Sequence, residues 1–165
     1  MKQAGAMISA VVLLLWSCSR EDNIAPAFEE NPEIRLEIPV GFPPFNTSFG
    51  GNKPTKYGVE LGRKIFNDKK LSGNNTISCA SCHNQTLAFT DGQLQALGIH
   101  HRVGLRNTPP LQNLAFLNFY NWDGNMLQLE RQALVPIITH EEMDTSILDF
   151  IGKINREAEY LDLFR

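Results

Sequence analysis

ISCASCHNQTLAFTDG, residues 77–92, crowds Cys79, Cys82 and His83 into five positions and follows them with a polar run. On a helical turn, Cys79 and Cys82 stand at i and i+3 on one face, and His83 projects from nearly the same face one residue later. Two thiols and an imidazole in that order suit a c-type haem. Two thioether bonds fix the vinyl edge of the porphyrin, and the imidazole reaches the iron. Three other readings use the same residues. A thioredoxin-like redox pair wants a βαβ setting, and no run of alternating strands follows residue 55. A zinc site needs further ligands, which His100, His101 or His140 would supply. A disulfide from Cys79 to Cys82 closes a very short, strained loop. The adjacent histidine favours haem.

The chain has 165 residues and a net charge of −3, enough for one domain with a modest core. Charges of both signs are scattered and no long basic run occurs, which argues against nucleic acid as a partner. Residues 1–18 read as an export signal. Lys2 gives a positive start, and AMISAVVLLLW, residues 6–16, is an apolar run too short to span a bilayer. It ends in LWSC, residues 15–18, which resembles the lipobox of bacterial lipoproteins, with Cys18 as the lipidated residue. A plain signal peptide with an incidental cysteine is the alternative. Two or three acyl chains on one cysteine hold a membrane stably where a single chain does not. The expectation is a periplasmic lipoprotein of a Gram-negative bacterium, anchored to the outer or inner membrane. With Cys18 committed to lipid, Cys79 and Cys82 are the remaining thiols in an oxidising compartment.

Residues 19–54 form a polar stalk and extended lead-in. The first part is acidic and Pro-containing, then comes IRLEI at 34–38 and the Pro/Gly-rich PVGFPPF at 39–45. From Thr55 the pattern is helical: Val59, Leu61, Ile65 and Phe66 share a face, and Asn67-Asp-Lys-Lys ends the run. Thr108 before Pro109 predicts a helix over 109–118. Asn125 as cap, with Gln128 at the reciprocal position, predicts one over 125–134. Asp144 or Thr145 caps a helix over 147–154, and 158–164 forms the last. The fold class is mostly α: short helices and long loops in a cytochrome-c-like haem domain over 55–165. Leu94, Leu97, Leu111, Leu114, Phe116 and Leu117 are candidates to pack against the haem.

Longer motifs in a fixed order narrow this further. LGRKIFNDKKLSGNNTISCASCHNQTLAFTDG (61–92), GIHHRVGLRNTPPL (98–111), NWDG (121–124) and ERQALVPI (130–137) followed by Glu142-Met143 resemble the N-terminal haem domain of bacterial dihaem cytochrome c peroxidases. The resemblance implies hydrogen peroxide as substrate, haem c as cofactor, and a periplasmic electron donor, either a small cytochrome or a cupredoxin. It implies that Cys79 and Cys82 carry the thioethers and that His83 is the proximal ligand. His100, with His101 as neighbour and substitute, falls where the family carries a distal histidine that leaves on activation. Trp122 matches the tryptophan between two haems, Glu142 the distal-pocket glutamate, and Asn107 a ligand of a calcium ion at the domain interface. Without the resemblance, Trp122 is a half-buried indole in a turn, Glu142 a solvated carboxylate near a helix start and His100 an ordinary surface histidine.

The family's chains run to about double this length and carry a second C-x-x-C-H, whereas residues 1–165 hold one. The expectation is therefore a truncated product, lacking the electron-entry haem and the rest of the calcium site. The alternative function is a monohaem electron-transfer protein, ligated by His83 and His100 and without peroxidase activity. A third, minor reading is a metal-bound binding module without haem. Oligomeric state is left open, a homodimer included.

Overall fold

The computed structural model describes residues 30–46 and 52–164. The signal peptide over 1–18, Cys18 and the first part of the stalk lie outside the described residues. Six α-helices carry the fold: α1 (Lys56–Asn67), α2 (Cys79–Cys82), α3 (Leu129–Gln132), α4 (Leu134–Ile138), α5 (Ile147–Arg156) and α6 (Ala158–Leu163). Short 3₁₀ turns fill in between them. Among the described residues β-structure is limited to isolated antiparallel bridges, so the mostly helical expectation holds. None of the described helices is long and apolar enough to cross a membrane.

α1 starts where the sequence predicts. Thr55 is its N-cap, its hydroxyl accepting from the Gly58 N–H at 3.2 Å. Leu61 and Ile65, at i and i+4, then face a core formed by Leu71, Ile137, Met143, Ile154 and Tyr160. Leu71 and Tyr160 are each only 1% exposed, and burying such a side chain contributes about 2 kcal/mol. The Tyr160 hydroxyl donates to Asp68 at 2.8 Å, so its one polar atom is satisfied inside the core. Burial and that carboxylate together push the Tyr160 pKa well up. Asp68 also accepts from the Lys70 N–H and so caps the 3₁₀ turn Lys69–Leu71 that delivers Leu71. Cys79 packs on the edge of this cluster with Ile77. The turn that bears the thiols is therefore seated on the best-packed part of the molecule.

Three local expectations need correction. No helix forms over 109–118; the segment makes a single 3₁₀ turn at Leu114–Phe116. Asn113 takes a left-handed conformation (φ +58°) just before it, which asparagine tolerates and a helix does not. The next helix starts at Leu129, not Asn125, because Met126 bridges back to Tyr120 (Tyr120 N–H to Met126 C=O, 2.8 Å) and stays extended. The Asn125 carboxamide is occupied across that turn by Asn121, and Gln128 sits at the N-cap position. α5 is capped by Ser146, whose hydroxyl accepts from the Asp149 N–H at 3.0 Å, one or two residues later than expected.

Residues 30–46 run extended and mostly exposed, as their composition suggests. Glu33 pairs with Lys53 at 3.0 Å and bridges to Thr55. Phe42 and Phe45 lay their rings 4.9 and 5.0 Å from Phe116, tying the segment to the 114–116 turn.

Candidate functional site

α2 is one turn long, with the Ser81 hydroxyl accepting from the Ser78 N–H at 3.0 Å and the His83 N–H closing onto Cys79 C=O at 2.9 Å. That single turn places Cys79 and Cys82 on one side with His83 at its end. The polar run that follows has a structural task. Asn84 N–H bonds Thr90 C=O at 3.0 Å, the Asn84 side chain accepts from Thr86 N–H, and Phe89 N–H returns to Asn84 C=O. Ala88 and Phe89 are both left-handed, at φ +56° and +60°. The result is a closed ring that presents Phe89 C=O to His83 Nδ1 at 2.8 Å. A carbonyl only accepts, so Nδ1 carries the proton and Nε2 keeps its lone pair for a metal. The Phe66 ring lies 6.3 Å from the imidazole.

These observations separate the readings that the cysteines leave open. Both thiols are free. Burial raises the Cys79 pKa, and burial, with lesser contributions from Asp91 and Glu142, pushes Cys82 up to about 11. A dithiol redox centre needs the opposite, a thiol whose pKa is lowered. Among the described residues no group of three or more His, Cys, Asp or Glu side chains gathers to hold a metal ion, and zinc would want four ligands. The set fits haem c: two thiols on one helical face, and an imidazole whose orientation and tautomer are fixed through its other nitrogen, as axial ligands ordinarily are.

A second element closes on this turn. Cys82 Sγ lies 3.8 Å from Leu97 C=O, at the start of a loop that carries His100 and His101. Both histidines are exposed and left-handed, at φ +54° and +57°. The loop docks onto residues 139–144 through Ile99 N–H to Glu142 C=O at 2.9 Å. Gly98 lies so close to that segment that an added Cβ would fall 1.8 Å from the Glu141 carbonyl oxygen. Glu142 is partly buried, and burial, followed by Glu141, raises its pKa above the usual carboxylate range. The solvated carboxylate that composition alone suggests is thus not what folds. After burial and Asp91, the Glu142 charge adds to the upward shift of the Cys82 thiol.

Trp122 and Asn107 form a separate pair. The indole Nε1 donates to Asn107 C=O at 3.4 Å, and Asp123 pairs with Arg106 at 2.7 Å, which staples the Trp-Asp-Gly turn to the Arg-Asn-Thr-Pro stretch. Gly124 takes φ +62° to make the turn. Trp122 is 58% exposed and shares an open recess with Leu94, Arg106 and Asn107. Two further polar atoms escape a sequence reading. Gln132 Oε1 and Thr108 Oγ1 are buried and have no hydrogen-bond partner. Gln132 lies within the quoted ERQALVPI run, where a glutamine on a short amphipathic helix gives no signal of its own.

The comparisons agree with this geometry. The profile of the di-haem cytochrome c peroxidase family matches residues 56–165. Over 114 residues the chain is 38% identical to a methylamine utilization protein MauG of Methylorubrum extorquens, covering 69% of this chain and 32% of that protein. It is 33% identical over 122 residues to the cytochrome c551 peroxidase of Pseudomonas aeruginosa, covering 72% and 34%. A crystal structure of a MauG-like protein associated with microbial copper homeostasis superposes with a TM-score of 0.71 at 31% identity, over 79% of this chain and 39% of that one. The matched stretch spans about a third of the length of these curated relatives. With the family profile covering residues 56–165, the chain belongs to the di-haem cytochrome c peroxidase family.

Proposed function

We propose that residues 55–164 act as a peroxide-reducing haem domain, with Cys79 and Cys82 holding haem c and His83 as its axial ligand. The observation that carries the reading is Glu142: a carboxyl half-buried, raised in pKa, and adding to the upward shift of the Cys82 thiol. An electron carrier has no use for a proton-exchanging group beside its cofactor; a peroxidase does. When bound, haem supplies the redox iron at which peroxide is reduced. Glu142 would take one proton from the peroxide and return it to the departing oxygen, a general acid–base role that the upward shift from burial favours. The balance is one H₂O₂, two electrons and two protons to two waters. The electrons come from a small periplasmic cytochrome or cupredoxin.

Phe89 C=O accepts from His83 Nδ1 and so orients the ring, leaving Nε2 as the nitrogen that would hold the iron. His100, or His101 beside it, is the reversible distal ligand in this reading, and its exposed, left-handed loop is compatible with leaving the site. Trp122 conducts electrons from the donor side towards the haem site, and Asn107, stapled to it, contributes to a calcium site there. Export and lipid anchoring through Cys18 place the domain on the periplasmic face of a membrane. The test is to mature the full chain with cytochrome assembly machinery, reduce the haem, and mix it with hydrogen peroxide in a stopped-flow instrument. Oxidation that slows by two orders of magnitude in Glu142→Gln supports the enzyme; equal rates support a monohaem bis-histidine carrier instead.

A further inference from the structure

Glu142 sits at the middle of a turn that the Arg102 side chain braces from outside, beside the turn's own His140 Nδ1–Asp144 Oδ2 contact at 3.3 Å. Arg102 Nη1 donates to the His140 carbonyl at 2.7 Å and to Asp144 Oδ2 at 2.6 Å, with His140 Nδ1 at 3.1 Å. His140 and Asp144 lie two residues before and two residues after Glu142, so one guanidinium spans the base of the turn. The bond to Asp144 is charge-assisted, and the guanidinium holds that carboxyl below the usual range. Asp144 adopts φ +45°, a left-handed conformation that costs a non-glycine residue energy unless its surroundings fix it. Inside the bracket, Glu142 N–H bonds Thr139 C=O and Ile99 N–H bonds Glu142 C=O, at 3.0 and 2.9 Å. Met143 is anchored in the core. These contacts are made by the backbone of the turn and by its flanking side chains, and none of them by the Glu142 carboxylate.

We infer that Arg102, paired with Asp144, is a positioning residue for Glu142: it locks the 139–145 turn so that the carboxyl faces the haem-attachment turn. The inference rests on the catalytic reading of Glu142 for its functional consequence. Its structural content stands independently of that reading. Arg102 also belongs to the loop bearing His100 and His101, so the same side chain couples that loop to the glutamate turn.

Two variants probe it in the haem-loaded full chain. Arg102→Ala removes both contacts. Asp144→Asn removes the ion pair while keeping a residue that accepts a left-handed backbone, and so guards against simple misfolding. Hydrogen exchange read by mass spectrometry is expected to be at least tenfold faster in peptides covering 139–145 for Arg102→Ala. Asp144→Asn is expected to give a smaller increase, with α1 and α5 unchanged in both. Exchange at 139–145 equal to that of the parent protein would overturn the bracket whatever the activity. The second arm combines each variant with Glu142→Gln. Arg102→Ala is expected to slow peroxide-driven haem oxidation about tenfold when Glu142 is present and less than twofold in the Glu142→Gln background. An equal loss in both backgrounds would mean that Arg102 does not act through Glu142. If Glu142→Gln itself leaves the rate unchanged, the peroxidase reading fails, and the exchange arm alone decides the bracket.

Discussion

Around α1, α5 and α6 the protein covers its own apolar side chains: Leu71 and Tyr160 are 1% exposed and Ile154 is 7%. Across the loops from 84 to 128 it covers few of them, with Ile99 at 2% and Tyr120 at 5% as buried exceptions, whereas Leu148 is an exposed exception on α5 at 82%. Leu94 is 95% exposed, Leu105 91%, Leu127 69% and Phe119 59%. Those loops are held by backbone hydrogen bonds and by left-handed residues at Ala88, Phe89, His100, His101, Asn113 and Asn121. The two regions obtain order from different sources. One is fixed by close packing of its own side chains. The other is a set of hydrogen-bonded turns with apolar surface left over, and it gains most from an apolar group laid upon it. The α2 turn stands at the boundary, with Cys79 on the core and Cys82 on the loop at Leu97.

The largest expected effect comes from denying the loops their cofactor. Cys79→Ser with Cys82→Ser should abolish the covalent haem band in a pyridine haemochrome spectrum. It should also speed hydrogen exchange throughout 84–128, while peptides from α5 and α6 slow-exchange as before. Equal loosening in both regions would break the division between them. Glu142→Gln should slow peroxide-driven oxidation about 100-fold and leave haem content unchanged. The pH–rate profile of the parent protein should show a limb rising as Glu142 deprotonates, centred above the ordinary carboxylate range because burial raises its pKa. The variant should lack that limb.

The same shift has a stability sign. The folded state binds the Glu142 proton more tightly than the unfolded chain does. Stability should therefore fall as pH rises from the unfolded pKa through the folded one. Denaturant titrations of parent and Glu142→Gln across that window should show the variant's dependence to be flatter.

In the packed region, Ile154→Ala should cost about 3 kcal/mol in denaturant unfolding with the haem spectrum unaltered. A change in the spectrum would show the core and the loops to be coupled more tightly than their packing suggests. The smallest effect is Tyr160→Phe. It removes the bond to Asp68 and should cost about 1.5 kcal/mol, with no change in peroxide reactivity.

The difference between the regions also explains what the sequence discloses. α1 and α5 are legible because Leu61 and Ile65, or Ile147, Phe150 and Ile154, repeat at helical spacing, although the cap of α5 falls at Ser146 and not at Asp144 or Thr145. The C-x-x-C-H turn is legible because two cysteines three apart with a histidine beside them form a recognisable local pattern. The stretch 109–134 is misread because its conformation is set by contacts distant from the local pattern: Tyr120 reaching Leu114 and Met126, and Asn125 reaching Asn121. Glu142 is identifiable only through the resemblance, since nothing local marks it off from Glu141. Its partial burial comes from the loop that Gly98 allows to approach. The Arg102 bracket joins residues 38 and 42 positions away, beyond any local pattern.

The partner of His83 Nδ1 is a main-chain oxygen, and this has a consequence for how the site tolerates change. A replacement at Phe89 alters the side chain but retains the acceptor, so an alanine scan of 84–90 would pass over the atom that sets the ring's tautomer. What the imidazole depends on is the contour of the loop. Lengthening or shortening that segment by one residue would disturb the His83 imidazole more than many single substitutions within it. A carbonyl also cannot accept the proton outright, as a carboxylate could, which keeps the imidazole from drifting towards imidazolate character.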